Sequence, residues 1–483
     1  MIVGRLVDEA PRLETISIMA PDWRVTFDGS VMARVPRLDL ADHGARFGYL
    51  GLVYGGREIQ PYGDCQLEFR FQDGLSSSAV VTPRVVDDTE LRDIFLSHLA
   101  DAQQNGALIE AVASLQRGLG DHILRLSGDI TNALAHSPYV ERFGARQQKY
   151  RGSIIVCLYG HPEYHFIQNA LFSGKPGIEE YEFIFVSNSP ELADTLRGGA
   201  IEASRTYGLD QTLVLLPGNA GFAAANNVAT KSAQSDRLVF LNPDVFPKDQ
   251  KWALKHLDLI DTKPVAETTI FGVPLYYDDG SLMHGGMFFE IDRGASFNRS
   301  RTAHWQLLRV EHYGKGAPAG AQEFTRPRPV PAVTGAFVSI ARDWFESLGG
   351  FSEDYIFGHY EDADLCLKSL EAGTPAWMQD LRLWHLEGKG SPHLPAHDGA
   401  ALVNRWLFSS RWGALVSGQV LGQKPSHALL QARSWPAVSG LVEATLAAEA
   451  PGAATASDLP GPGRPTGSRQ APSARKRREG VVS

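Results

Sequence analysis

Between residues 153 and 246 the chain carries four apolar runs of β type: SIIVCLY, YEFIFVSNS, TLVLLPG and RLVFLNPDV. Helical segments separate them: EYHFIQNALFSG, ELADTLRGGAIEASRTYG and FAAANNVATKSAQ. Strands that alternate with helices in this way pair in parallel, because each crossover helix returns the chain to the same edge of the sheet. The expected fold class is therefore α/β, with helices on both faces of a largely parallel sheet. Such sheets bind ligands beyond the carboxyl ends of their strands. The residues there are Tyr159, Ser187–Ser189, Pro217–Gly221 and Asn242–Asp244.

The remaining chain has other textures. In residues 1–88, short runs such as WRVTF, CQLEFRF and SSAVVTPRVV lie between turn signals and predict a small β-rich accessory domain. Residues 89–150 read as a helical connector (ELRDIFLSHLADA, ALIEAVASLQRGL, HILRLSGDITNAL) leading into an α/β domain over 151–395. Residues 396–445, with ALVNRWLFSSRWGALVSG, read as amphipathic helix that packs on that domain, covers its cleft or touches a membrane. Residues 446–483 are rich in Pro, Gly, Ala and Ser and predict a disordered tail. Its RKRR cluster is either a solvated charge run or a weak contact with an acidic membrane surface.

Composition excludes several functions. A net charge of -9 argues against a nucleic-acid partner. Cys65, Cys157 and Cys366 form no CxxC pair, which excludes a zinc cluster and fits a reducing compartment. No run reaches the ~18–20 apolar residues of a membrane-spanning helix, and the first residues lack a signal-peptide pattern. The expected location is cytoplasmic, with peripheral contact at the inner face of the cell membrane left open.

Four motifs carry chemistry. In LVFLNPDVFP, Asn242-Pro243-Asp244 is either a turn or the mouth of a buried strand where Asp244 holds a divalent cation. GNAGFAAANN has small residues that let a helix pack closely on the sheet, with Asn219 and Asn227 as candidate ligand contacts. His385 in WHLEGKGS is structural or, beside an acid, a metal ligand. FGHYEDADLCLKSLEAG crowds Glu361, Asp362 and Asp364 into a helix's first turn, where the helix dipole favours acids.

Together and in order, SIIVCLYGHPEY, NAGFAAANN, FLNPDV, GVPLYYDDGSLMHGGMFFEID and VTGAFVSIARDWFESLGGFSEDYIFGHYEDADLCLKSLEAG resemble glycosyltransferase family 2 over about residues 152–390. These are inverting nucleotide-sugar transferases with a GT-A-type mixed sheet, and their bacterial members commonly build surface polysaccharide. The resemblance implies that Asp362 is the catalytic base with Glu361 as its partner, and that Asp244 and His385 hold Mn2+ or Mg2+. It places Tyr159, Asn188, Asn219, Gly221, Asn227, Asn242, Gly335 and Ala336 on the donor side. The chain departs from the family where a uracil- or thymine-binding Asp is usual and Asn188 stands instead, and where Asn242 replaces the first acid of the metal motif.

The implied reaction moves a sugar from a nucleoside-diphosphate sugar to a hydroxyl of a glycan or glycolipid acceptor. A non-catalytic sugar- or nucleotide-binding scaffold with the same fold is the alternative. A dinucleotide-dependent oxidoreductase is not supported, because LYGHPEY supplies no glycine-rich loop.

Overall fold

The computed structural model describes residues 1–6, 13–29, 32–36, 47–54, 63–104, 108–144, 149–262, 265–292, 307–389 and 394–417. The expected tail, its RKRR cluster and the end of the carboxyl-terminal segment lie outside these residues.

Nine strands form the central sheet among the described residues. Their spatial order is Arg328–Val330, Ala376–Met378, Phe271–Gly272, Phe337–Ala341, Arg237–Leu241, Gly152–Leu158, Tyr181–Ser187, Gln211–Leu215 and Tyr139–Phe143. The four strands from Arg237–Leu241 to Gln211–Leu215 are mutually parallel. Phe337–Ala341 and Tyr139–Phe143 flank them antiparallel. The sheet is therefore mixed, and the α/β class expected from the alternating pattern holds.

One boundary differs from expectation. YVERF falls within the expected helical connector, but it is the sheet's edge strand, paired antiparallel from Tyr139↔Leu215 to Phe143↔Gln211. Five residues beside a helical stretch give too short a pattern to reveal a strand that a distant partner stabilises.

Side chains alternate between two cores. Ile155, Ile184, Val214 and Phe240 face a core shared with the Gly221–Thr230 and Glu361–Glu371 helices. Ile154, Val156, Phe183 and Leu213 face the Glu163–Phe172, Ala193–Tyr207 and Trp252–Ile260 helices. In the Gly221–Thr230 helix Ala223, Ala224 and Ala225 are buried, so small side chains bring its backbone close to the sheet.

A third core joins the ends of the chain. Phe95, Leu96 and Leu99 of the Asp88–Gln104 helix meet Ala396, Ala400 and Val403 of the Pro395–Leu415 helix. A Cβ at Gly399 would lie 1.9 Å from the Leu96 carbonyl oxygen, so the crossing requires glycine. Phe408 and Trp412 of the same helix join the core that holds Ile155, Ile184 and Phe240 of the sheet. Upstream lie two small antiparallel sheets, one of Leu13–Ala20, Trp23–Asp28, Cys65–Phe71 and Ser76–Val81, the other of Ile2–Leu6, Met32–Pro36 and Phe47–Gly51.

Among the described residues no helix is long and apolar enough to cross a membrane. All three cysteines are free and buried.

Candidate active site

The chain runs outward across the sheet from Gly152–Leu158 to Gln211–Leu215, then crosses back to lay Arg237–Leu241 on the other side of Gly152–Leu158. Adjacent crossovers diverge there and leave a crevice at the carboxyl ends. A cleft of about 670 Å³ opens at this point, lined by residues including Tyr159, Asn188, Asn219, Asn242, Asp244, Gly335, Ala336, Glu361, Asp362 and His385.

Asp244 reaches the cleft because the Asn242-Pro243-Asp244 turn is pinned on three sides. Asn242 N–H donates to the Ala336 carbonyl (3.0 Å), while Gln168 Nε2 donates to the carbonyls of Asn242 (2.8 Å) and Val245 (3.2 Å). Val245–Pro247 then pairs antiparallel with Leu383–His385, placing Val245 opposite His385. Asp244 Oδ1 consequently lies 3.3 Å from His385 Nε2, with both residues buried.

Asp244 Oδ1 and His385 Nδ1 are buried without hydrogen-bond partners. A buried carboxylate oxygen without a donor is costly unless a cation completes it. Two donors that share one ion at about 2.1 Å each stand ~3.0–3.4 Å apart for angles near 90–109°. The observed separation fits that pattern. Among the described residues no group of three or more His, Cys, Asp or Glu side chains surrounds one point, so the protein would supply two ligands.

The acidic pair arrives by a strained route. Phe357, His359 and Tyr360 have φ of 61°, 77° and 78°, three non-glycine residues in the left-handed region directly before Glu361. Such residues cost about 1–3 kcal/mol each and persist only where surrounding contacts determine them. Here Asn404 of the Pro395–Leu415 helix receives Ile356 N–H (2.8 Å) and donates to the carbonyls of Ile356 (2.9 Å) and Gly358 (2.7 Å). Phe222 N–H donates to the Phe357 carbonyl (2.6 Å), and the Arg92 guanidinium lies 4.4 Å over the Phe357 ring.

The strained segment aims Asp362 at the cleft. Its Oδ2 accepts from Gly335 N–H and its Oδ1 from Ala363 N–H, both at 2.7 Å. A carboxylate has about four acceptor positions, so lone pairs remain for a proton from a bound hydroxyl. Glu361 is buried and its Oε2 lacks a partner. Burial, and then the neighbouring Asp362 charge, push its carboxyl well above the usual carboxylate value.

Asp364 has a different task from the helix-start role considered for it. Fully buried, it accepts from Tyr355 Oη (3.0 Å), Arg411 Nη1 (2.9 Å) and Trp412 Nε1 (2.8 Å), and pairs with Lys368 (2.9 Å). It fastens the site helix to the Pro395–Leu415 helix.

The remaining donor-side candidates divide. Tyr159, Asn219, Asn242, Gly335 and Ala336 line the cleft. Asn188 does too, but its amide is already engaged, receiving Ala220 N–H (3.2 Å) and donating to the Gly221 carbonyl (3.3 Å), so it shapes the turn. Gly221 does not line the cleft. Its φ is +86°, and a Cβ there would meet the Phe357 backbone at 3.2–3.3 Å, so it serves the close approach of that loop. Asn227 also lies outside the cleft, bracing Phe351 and Glu353 (2.8 Å each).

Sequence reasoning missed Asn404. Its one signal is a polar side chain among Ala400, Val403 and Leu407 at helical spacing on an apolar face. The cleft-lining His312 was missed as well.

No family model matches the chain. It is 28% identical over 248 residues, half of its length, to the uncharacterized protein y4gI of Sinorhizobium fredii. It is 27% identical over 289 residues, 59% of its length, to the O-antigen biosynthesis protein RfbC of Myxococcus xanthus. These alignments span only 25% and 20% of the two relatives. Among solved structures, GalNAc-T7 with UDP, GalNAc and Mn2+ aligns at a TM-score of 0.37 and 13% identity, over 53% of this chain and 48% of that one. The mannosyltransferase PcManGT of Pyrobaculum calidifontis, in complex with GDP-Man and Mn2+, aligns at 0.33 and 16%, over 69% and 90%. Residues 1–349 of S. aureus TarS with UDP-GlcNAc align at 0.35 and 15%, over 58% and 69%.

Proposed function

We propose that the chain is an inverting glycosyltransferase that moves a sugar from a nucleoside-diphosphate sugar to a hydroxyl of a glycan or glycolipid acceptor. The observation that carries the reading is one cleft, at the point where the strand order reverses, that holds both Asp362 and the Asp244–His385 pair. The similarity to an O-antigen biosynthesis protein supports a polysaccharide setting.

In this reading Asp362 accepts the proton of the acceptor hydroxyl as that oxygen attacks the anomeric carbon, a role typically contributing ~10²–10⁴ in rate. The Gly335 and Ala363 N–H groups hold the carboxylate in place. Glu361, whose carboxyl burial pushes upward, disfavours a second negative charge beside the Asp362 carboxylate. Asp244 and His385 would hold a divalent ion, Mn2+ or Mg2+, which supplies charge stabilisation to the departing diphosphate. Because the protein offers two ligands, the remaining positions suit diphosphate oxygens and water.

The test is to incubate the protein with Mn2+ and a panel of nucleotide sugars and measure released nucleoside diphosphate. Slow hydrolysis of one donor, abolished by Asp362→Asn, is the expected result. A donor that binds without turnover under every condition would instead favour the non-catalytic scaffold. For location, added anionic vesicles should sediment the full chain if peripheral membrane contact contributes.

A further inference from the structure

His312 ends the strand Leu308–His312 and lines the cleft. Behind it His284 ends the strand Leu282–His284, fully buried, with its Nδ1 3.3 Å from His312 Nδ1. The two rings meet edge to face at 4.8 Å. Burial pushes both imidazoles below their ordinary value, so each carries one ring proton. One proton must lie between the facing nitrogens, and two arrangements are open.

If His312 donated, His284 would carry no proton on Nδ1 and its proton would sit on Nε2. That nitrogen is buried and has no partner. If His284 donates, Nε2 is only an unprotonated acceptor. Buried unpaired N–H groups are rarer than unpaired acceptors, which disfavours a proton on the partnerless His284 Nε2. The second arrangement therefore wins. It leaves His312 Nδ1 occupied as an acceptor and puts the His312 proton on Nε2, the nitrogen left for the cleft.

We propose that His284 locks His312 as an uncharged Nε2–H donor, which hydrogen-bonds a hydroxyl oxygen of the transferred sugar. An uncharged donor suits a hydroxyl, whereas a diphosphate is better met by a cation. His312 lines the same cleft as Asp362, Asp244 and His385, where in the glycosyltransferase reading the transferred sugar lies. The ligand half of this inference rests on the glycosyltransferase reading; the tautomer half does not.

The test uses the full chain labelled with 15N-histidine, with the two rings assigned through His312→Gln and His284→Gln. Long-range 1H–15N spectra of the free wild-type protein should show His312 protonated at Nε2 and His284 at Nδ1. A His312 protonated at Nδ1 overturns the lock. Addition of the nucleotide sugar hydrolysed in the panel, with diamagnetic Mg2+, should shift His312 Nε2, while the matching nucleoside diphosphate with Mg2+ should not. A shift of equal size with the diphosphate alone overturns the sugar assignment. If no nucleotide sugar perturbs any resonance, the transferase reading falls, and the sugar assignment with it. His312→Phe should lower kcat/KM for donor hydrolysis by about 10–100-fold and leave diphosphate affinity within about twofold, and His312→Gln should restore part of the loss.

Discussion

Asn404 is a side chain remote from any reacting atom whose loss should still silence the site. In Asn404→Leu the volume is nearly kept, but three hydrogen bonds to residues 356–358 vanish. The Ile356 carbonyl retains Gly358 N–H at 2.7 Å, so the Ile356 N–H and the Gly358 carbonyl are the groups left without their partner. At about 1–3 kcal/mol for each stranded group, the cost is about 2–6 kcal/mol. The loop should escape the upper part of that range by relaxing, since Phe357, His359 and Tyr360 are all held at positive φ. A stability loss of about 2–4 kcal/mol, read as a lower urea midpoint, is therefore expected. Relaxation moves Asp362, and a displacement near 1 Å costs about 10²-fold in turnover. Asn404→Asp should behave similarly, because its second oxygen would face two carbonyls. Donor hydrolysis and urea titration are the paired assays. A leucine variant with wild-type midpoint and wild-type turnover would refute the clamp.

Neighbouring acids should separate cleanly. Asp364→Asn breaks a fully buried ionic anchor and should cost about 3–5 kcal/mol in denaturant titration, whereas Asp362→Asn should cost about 1–3 kcal/mol, for the one backbone N–H its amide leaves unpaired, while donor hydrolysis disappears. Glu361 carries a sign that can be checked. Its folded pKa lies above the ordinary 4.5, so the folded state binds the extra proton and stability falls as pH rises from about 4.5 through that raised value. Glu361→Gln should flatten this slope, measured as unfolding free energy against pH. Asp244→Asn should remove the Mn2+-dependent part of nucleoside-diphosphate binding in calorimetry without lowering metal-free stability, since the Oδ1 it replaces has no hydrogen-bond partner. Asn227→Ala should reduce stability through its lost contacts to Phe351 and Glu353 and leave nucleotide affinity unchanged.

The sheet was legible because apolar periodicity is a local signal, repeated four times in under a hundred residues. Asp244 and His385 were each visible as motifs, yet their 3.3 Å approach depends on the antiparallel pairing of Val245–Pro247 with Leu383–His385, which no local pattern records. The three acids were visible as a cluster, but their separate roles were not. Asp364 differs from Asp362 through Tyr355 and Lys368 nearby and through Arg411 and Trp412, more than forty residues away. The resemblance puts Asn188 on the donor side and residue chemistry makes Asn227 a candidate ligand contact, whereas neighbouring backbone occupies their amides. Asn404 acts through the tertiary meeting of two segments, each unremarkable in isolation.

The crossing at Gly399 and Leu96 has a practical consequence for anyone dissecting this chain. A fragment cut to residues 151–395 would contain every acid and histidine assigned to the chemistry. It would nevertheless lack the strand Tyr139–Phe143 that closes the sheet edge, Arg92 over Phe357, and Asn404 with Arg411 behind the acids. Such a fragment would keep the proposed base and metal-side pair and lose the contacts that hold residues 356–362 against the cleft. The smallest unit worth expressing therefore begins before Asp88 and ends beyond Leu415.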